Sequence, residues 1–68
     1  MNMSFPLYAR VRLITDKYLA EGVGNGAIGY IIEKYKDAYE VEFSDAQGIT
    51  IAQIAVSPNE IILHEPSN

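Results

Sequence analysis

The stretch from Gly26 to Gly48, GAIGYIIEKYKDAYEVEFSDAQG, limits the fold more than any other part of the chain. Its second half, Ala38-Tyr39-Glu40-Val41-Glu42-Phe43-Ser44, alternates apolar and polar residues without a break. A period of two belongs to a strand, and it sets Tyr39, Val41 and Phe43 on one face and Glu40 and Glu42 on the other. The first half, Gly29 to Tyr35, is rich in β-branched and aromatic residues, which suit a pleated surface. Lys36-Asp37 is a polar break of hairpin length between the two. Asp45-Ala46-Gln47-Gly48 puts Asp first and Gly last, as a type I turn prefers.

Strand character recurs on either side. Phe5-Pro6 opens an extended segment, because proline biases its predecessor toward β or polyproline geometry. From Leu7 to Ile14, Ala9, Val11 and Leu13 alternate with Arg10 and Arg12, giving a first strand with its basic side toward solvent. Thr15 to Asn25 lacks strand character and reads as a long loop with Tyr18 and Leu19 held back onto the fold. One helical turn fits inside it, capped by Thr15 and stopped by Gly22. Ile49 to Val56 is a fourth strand. Ser57-Pro58-Asn59-Glu60 then combines an N-cap Ser, a Pro at the first helical position and a Glu at the third. That capping box predicts a single 3-10 turn before a short last strand, Ile61 to Leu63.

The predicted fold is all-β: a small five-stranded SH3-like barrel with one 3-10 turn before the last strand. It forms one domain over residues 1–68, with 65–68 a fraying polar tail. Val11, Leu13, Ile28, Ile32, Tyr39, Val41, Phe43, Ile54 and Leu63 are its predicted core. An OB-type barrel usually carries a helix between its third and fourth strands, and no segment here supplies one.

Composition narrows the function classes. A 68-residue chain buries only about 60% of the surface its unfolded form exposes, so its stability margin is thin. With no cysteine it has neither disulfides nor a thiolate site, and its one histidine, His64, cannot make a zinc site alone. A hydrophobic fraction of 49% argues for a folded core. A formal charge of −4 opposes nonspecific nucleic-acid binding, which rests on neutralising phosphates. No apolar run approaches the roughly 20 residues of a membrane span, and Met1-Asn2-Met3-Ser4 does not read as a signal peptide. A cytoplasmic protein is expected.

Gly24-Asn25-Gly26-Ala27-Ile28-Gly29 matches the dinucleotide fingerprint G-x-G-x-x-G letter for letter. The chemistry of that motif needs a helix N-terminus facing a pyrophosphate, and here the β-branched run Tyr30-Ile31-Ile32 follows. The glycines are therefore assigned to tight turns and close strand approach, and no cofactor is expected. Catalytic constellations are missing too. Ser4, Ser44, Ser57 and Ser67 have only His64 as a possible base. Glu40 and Glu42 alternate on an exposed strand face, and Asp37, Asp45 and Glu42 lack the ligand spacing of a calcium loop. Tyr8, Tyr18, Tyr30, Tyr35 and Tyr39 suit core edges, where the ring is buried and the hydroxyl wet.

Glu21-Gly22-Val23, Gly26-Ala27-Ile28-Gly29-Tyr30-Ile31-Ile32-Glu33, Ala38-Tyr39-Glu40-Val41-Glu42-Phe43 and Gly48-Ile49-Thr50-Ile51-Ala52 follow one another in a recognisable order. The pattern resembles a family of short, mostly bacterial proteins catalogued as a domain of unknown function. The resemblance covers most of the chain and implies an SH3-like barrel with no catalytic residues to carry over. The chain departs from it at Tyr30, where a small residue such as Thr is usual, and at Ile49 and Ile51, where polar residues are usual.

No enzyme is expected. The sequence points to a small noncatalytic interaction module that binds protein, either a second copy of itself or a partner in a small hetero-complex. The alternative is a nucleic-acid-binding small barrel using the tyrosines with Arg10 and Arg12. Strict alternation through Ala27 to Tyr35 puts Ile28, Tyr30 and Ile32 inside and Ile31 and Tyr35 outside. If Phe43 lies opposite Thr50, Ile49 and Ile51 also point out. Ile31, Tyr35, Ile49 and Ile51 are then the predicted contact surface of a homodimer, with Glu40 and Glu42 at its rim.

Overall fold

The central hairpin forms where the alternation places it. In the computed structural model, which describes residues 4–65, Ile28–Lys34 (β2) pairs antiparallel with Tyr39–Ser44 (β3). Around it lie β1 (Arg10–Leu13), β4 (Thr50–Val56) and β5 (Ile61–Leu63), with short 3-10 turns at Leu19–Glu21 and Pro58–Glu60. The five strands make one open antiparallel sheet in the order β4-β3-β2-β1-β5. The all-β class, the five strands and the turn before β5 are as the sequence indicates. The turn at Leu19–Glu21 is a second one, ended by Gly22 in the left-handed region at φ 93°.

β4 and β5 are the two edges of this sheet, yet only Ser57–Glu60 separates them in the chain. Consecutive Cα atoms are about 3.8 Å apart, so one end of β4 must lie near the start of β5. The sheet is therefore rolled, and no β4–β5 ladder closes it. A single core fills the inside: Val11 and Leu13 from β1, Ile31 from β2, Tyr39, Val41 and Phe43 from β3, Val56 from β4 and Ile61 from β5. Phe5 and Val23 complete it from outside the strands. Phe5 lies edge-on to Tyr39, with ring centroids 5.3 Å apart, and its N–H donates to the Tyr39 hydroxyl at 3.0 Å. That bond satisfies a buried phenol and ties down the N-terminal segment.

The predicted core was right on β1 and β3, out of phase on β2, right in direction at Ile54 of β4, which packs half-buried against the core, and wrong on β5, where Ile61 is buried instead of Leu63. Val11, Leu13, Tyr39, Val41 and Phe43 are buried, whereas Ile28, Ile32 and Ile54 are half-buried and Leu63 is 45% exposed. The error in β2 is one of phase. Gly29 faces Phe43 and Ile31 faces Val41, so Gly29 and Ile31 point inward and Ile28 and Tyr30 outward. A Cβ on Gly29 would stand 2.7 Å from the Glu42 carbonyl oxygen and from Val41 Cγ1. β3 comes that close only because residue 29 has no side chain. The register then shifts between Ile31 and Glu33, a β-bulge that strict alternation cannot foresee. Leu19 is corrected as well: Tyr18 is held against the fold, but Leu19 is 62% exposed. Within the predicted tail, residues 66–68 lie outside those described.

Candidate interaction surface

Ile31 does not belong to any contact surface. It is fully buried, because the phase of β2 turns it toward Val41. The other five predicted residues reach the surface, but at two separate places. Tyr35 is half-exposed at the β2–β3 hairpin, where its hydroxyl donates to Glu40 Oε1 at 3.1 Å. That hydrogen bond, with some desolvation and the charges of Glu40 and Glu33, raises the Tyr35 pKa. Ile49 and Ile51 lie at the far end of β3, beside the β3–β4 turn, and are 63% and 46% exposed. Four residue steps of strand separate Glu40 from Ser44, or about 13 Å. Glu42 sits between the two places, and its Oε2 accepts from Thr50 Oγ1 at 2.6 Å.

β4 adopts a different register from the conditional one. Phe43 lies opposite Ala52, and Ser44 opposite Thr50, with a register shift between them. Ala52, Ile54 and Val56 keep the inward face, while Thr50 turns out to meet Glu42. Ile51 falls at the shift and leans over the 15–25 loop, with its Cγ2 3.3 Å from where a Gly22 Cβ would stand. Leu19 Cδ2 approaches the same position on Gly24 at 2.9 Å. The two glycines thus let Leu19 and Ile51 lie against one loop, next to exposed Ile49. The sequence reading set Leu19 against the fold instead of at the surface because its segment has no apolar period to fix a face.

The β3–β4 turn itself is as predicted. Gly48 N–H donates to Asp45 O at 3.0 Å, and Asp45 Oδ1 accepts from the N–H groups of Gln47 and Ile49. Gly48 takes φ 81°, which glycine adopts without steric cost. The glycine-rich run also behaves as turn and strand. Gly26 holds φ 98°, and β2 begins at Ile28, where a dinucleotide fold would need a helix.

The strongest electrostatic cluster is Tyr18, Lys17 and Glu60. Tyr18 donates to Glu60 Oε1 at 2.6 Å, Ser57 N–H to the same oxygen at 2.9 Å, and Lys17 Nζ stands 3.3 Å from Oε2. The capping box at Ser57 is therefore real and also holds the 15–25 loop. Burial, the hydrogen bond to Glu60 and the charges of Glu60 and Glu21 push the Tyr18 hydroxyl up to about 12. Burial also pushes Glu60 up, but the bonds from Tyr18, Ser57 and Lys17 outweigh it and leave the carboxyl below its ordinary value. A phenol that holds its proton this firmly is a poor proton donor, and both carboxylate oxygens already face donors. The cluster is a lock between two turns. Among the described residues no group of three His, Cys, Asp or Glu is placed to hold a metal ion. Among the described residues no helix is long and apolar enough to cross a membrane.

The family described as Domain of unknown function (DUF4926) matches residues 7–63. The chain belongs to the DUF4926 family. The match takes in all five strands and both 3-10 turns, from the Leu7-Tyr8 turn to the end of β5. Phe5, which packs on Tyr39, precedes the DUF4926 segment. No curated protein matches the chain. No solved structure matches it either.

Proposed function

We propose that this protein is a noncatalytic protein-binding module, a cytoplasmic SH3-like barrel of bacterial origin that pairs with a second copy of itself along β4. One observation carries the proposal: β4 is a seven-residue edge strand, Thr50-Ile51-Ala52-Gln53-Ile54-Ala55-Val56, with no charged residue and no proline. Its only ladder is to β3, so among the described residues its other edge has no strand partner. Natural edges are commonly guarded by Lys, Pro or inward charges, and this one has only the bulge near Ile51. Antiparallel pairing of two β4 strands about a two-fold axis supplies the missing hydrogen bonds and covers Ile49, Ile51 and Leu19. Glu40 and Glu42, on β3 beside it, keep their charge and accept from the Tyr35 and Thr50 hydroxyls. A cysteine-free chain needs no oxidising compartment, which suits a cytoplasmic setting.

Sedimentation at micromolar concentration tests this directly. The wild type should sediment as a dimer, and Ile51→Lys and Ala55→Lys should each give a folded monomer, since both side chains are exposed. A monomeric wild type would overturn self-association and leave binding to a different protein as the role. The nucleic-acid alternative has one favourable feature, Arg10 opposite Tyr30 on the outer face, against a net charge of −4. Oligonucleotide binding that weakens steeply with salt would support it.

A further inference from the structure

The outer face of the sheet carries a groove of about 490 Å³ that the β4 edge does not use. Register builds it. Arg10 of β1 lies opposite Tyr30 of β2, and the pairing of Gly29 with Phe43 sets Ile28 beside Ser44 of β3. The β3–β4 turn, with Asp45 and Gly48, closes one end. The volume lies in the range of ligand sites, but the trough is open: Tyr30 is 48% exposed, and Asp45 and Gly48 are also exposed.

Its polar groups are mismatched to the rest of the chain. Arg10 Nε is shielded from solvent and has no hydrogen-bond partner among the described residues. A desolvated guanidinium donor without an acceptor is unfavourable, and native structures rarely keep one without a use. Asp45, on the opposite wall, gives one carboxylate oxygen to the N–H groups of Gln47 and Ile49 and keeps further lone pairs for another donor.

We infer that this groove binds an extended peptide of a partner protein, with one side-chain carboxylate of that peptide seated on Arg10. When the Arg10 side chain turns its shielded Nε toward the groove, a carboxylate accepts the Nε and one Nη side by side, which gives the orphaned nitrogen its acceptor. The Ile28 side chain and the Tyr30 ring bear on the stem, and the Asp45 carboxylate accepts a backbone N–H of the peptide. An open trough favours a chain that runs on beyond it over a small molecule that must be enclosed. Charge decides against a nucleic-acid strand. Such a strand carries a phosphate at every nucleotide and would meet Asp45 in the groove and Glu42 opposite Tyr30. This site shares no lining residue with the proposed β4 contact.

The test is a titration of the ¹⁵N-labelled full chain, followed through the Arg10 Nε–H signal and the Ser44 and Gly48 amides. The probes are a blocked pentapeptide with a central glutamate, the same peptide with glutamine, inorganic phosphate and oligothymidylate. The glutamate peptide should shift these signals saturably, and the glutamine peptide should bind about tenfold more weakly or worse. Arg10→Gln should lose the response, and Arg10→Lys should restore it only in part, because an ammonium cannot present the fork. If Arg10→Gln does not fold, Tyr30→Ala, which removes an exposed ring from the groove wall, should weaken glutamate binding several-fold, and unchanged binding would overturn the inference. Equal binding of both peptides, silence at these signals up to millimolar peptide, or a response to phosphate or oligothymidylate alone would each overturn the inference.

Discussion

Tyr8 holds a backbone angle that its side chain resists. Its φ is 70°, and it is the only non-glycine residue at positive φ among those described. The cause is local. Ala9 N–H donates to Pro6 O at 3.1 Å, which makes Tyr8 the third residue of a turn, where type II geometry calls for glycine. Tyr8 N–H then donates to Ile31 O while Ile31 N–H donates to Ala9 O, so two residues of this strand face one of β2. The strain is of order 1–2 kcal/mol for a residue with a Cβ. The Tyr8 ring is 70% exposed and gains little from packing. Tyr8→Gly should therefore raise stability by about 1 kcal/mol, less whatever glycine returns to the unfolded chain. Urea denaturation measures it, and a loss of stability would show that the ring has a packing role. Gly29 is the opposite case. A Cβ there would stand 2.9 Å from Phe43 Cδ1 as well as 2.7 Å from the backbone of Glu42. Gly29→Ala should cost about 1–3 kcal/mol by overpacking, whereas Gly26→Ala meets only the penalty of its positive φ.

At the scale of elements, the contact between Tyr18 and Glu60 decides how the long loop is held. The loop has one short 3-10 turn with no buried residue, too little to order it alone. Tyr18 ties it to the turn before β5, while Val23 enters the core and Asp16 Oδ1 accepts from Asn25 N–H at 2.8 Å. Tyr18→Phe should cost about 1.5–3 kcal/mol near neutral pH, the usual value of a hydrogen bond to a charged acceptor. The sign with pH follows from the shifts. The Tyr18 pKa is higher in the folded chain, about 12 against 10, so its contribution is complete below pH 10 and fades as the pH climbs toward 12. The Glu60 pKa is lower when folded, so its contribution holds above the ordinary carboxylate range and is lost as the pH falls through that range. Wild type and Tyr18→Phe should thus converge in stability on the alkaline side. A gap that persists unchanged through pH 12 would place the effect in packing.

For the whole molecule, the question is how so short a chain closes a core. Its core draws on all five strands plus Phe5 and Val23, so no hairpin can be stable apart from the rest. The remaining liability is the edge at β4. If two copies join there, thermal stability becomes concentration-dependent, and the wild-type midpoint should rise over a hundredfold dilution series read from dilute to concentrated, while Ile51→Lys stays flat. A flat wild type would agree with a monomer and count against the β4 pairing.

What the sequence determined by itself is the set of strands and turns, because period, turn chemistry and capping are local. The alternation Tyr39-Glu40-Val41-Glu42-Phe43 gave β3 and its buried face, Asp45 to Gly48 gave the turn, and Ser57 to Glu60 gave the capping box. What only the tertiary structure decided is which way a strand faces when both its faces are apolar. In β2 either phase satisfies the pattern, and the choice fell to Gly29, whose missing side chain admits Phe43 and turns Ile31 in and Tyr30 out. The same choice removed Ile31 from the predicted surface and set Tyr30 beside Arg10 in the groove. Close approach between strands is a property of pairs of residues far apart in sequence, and no period along one strand records it.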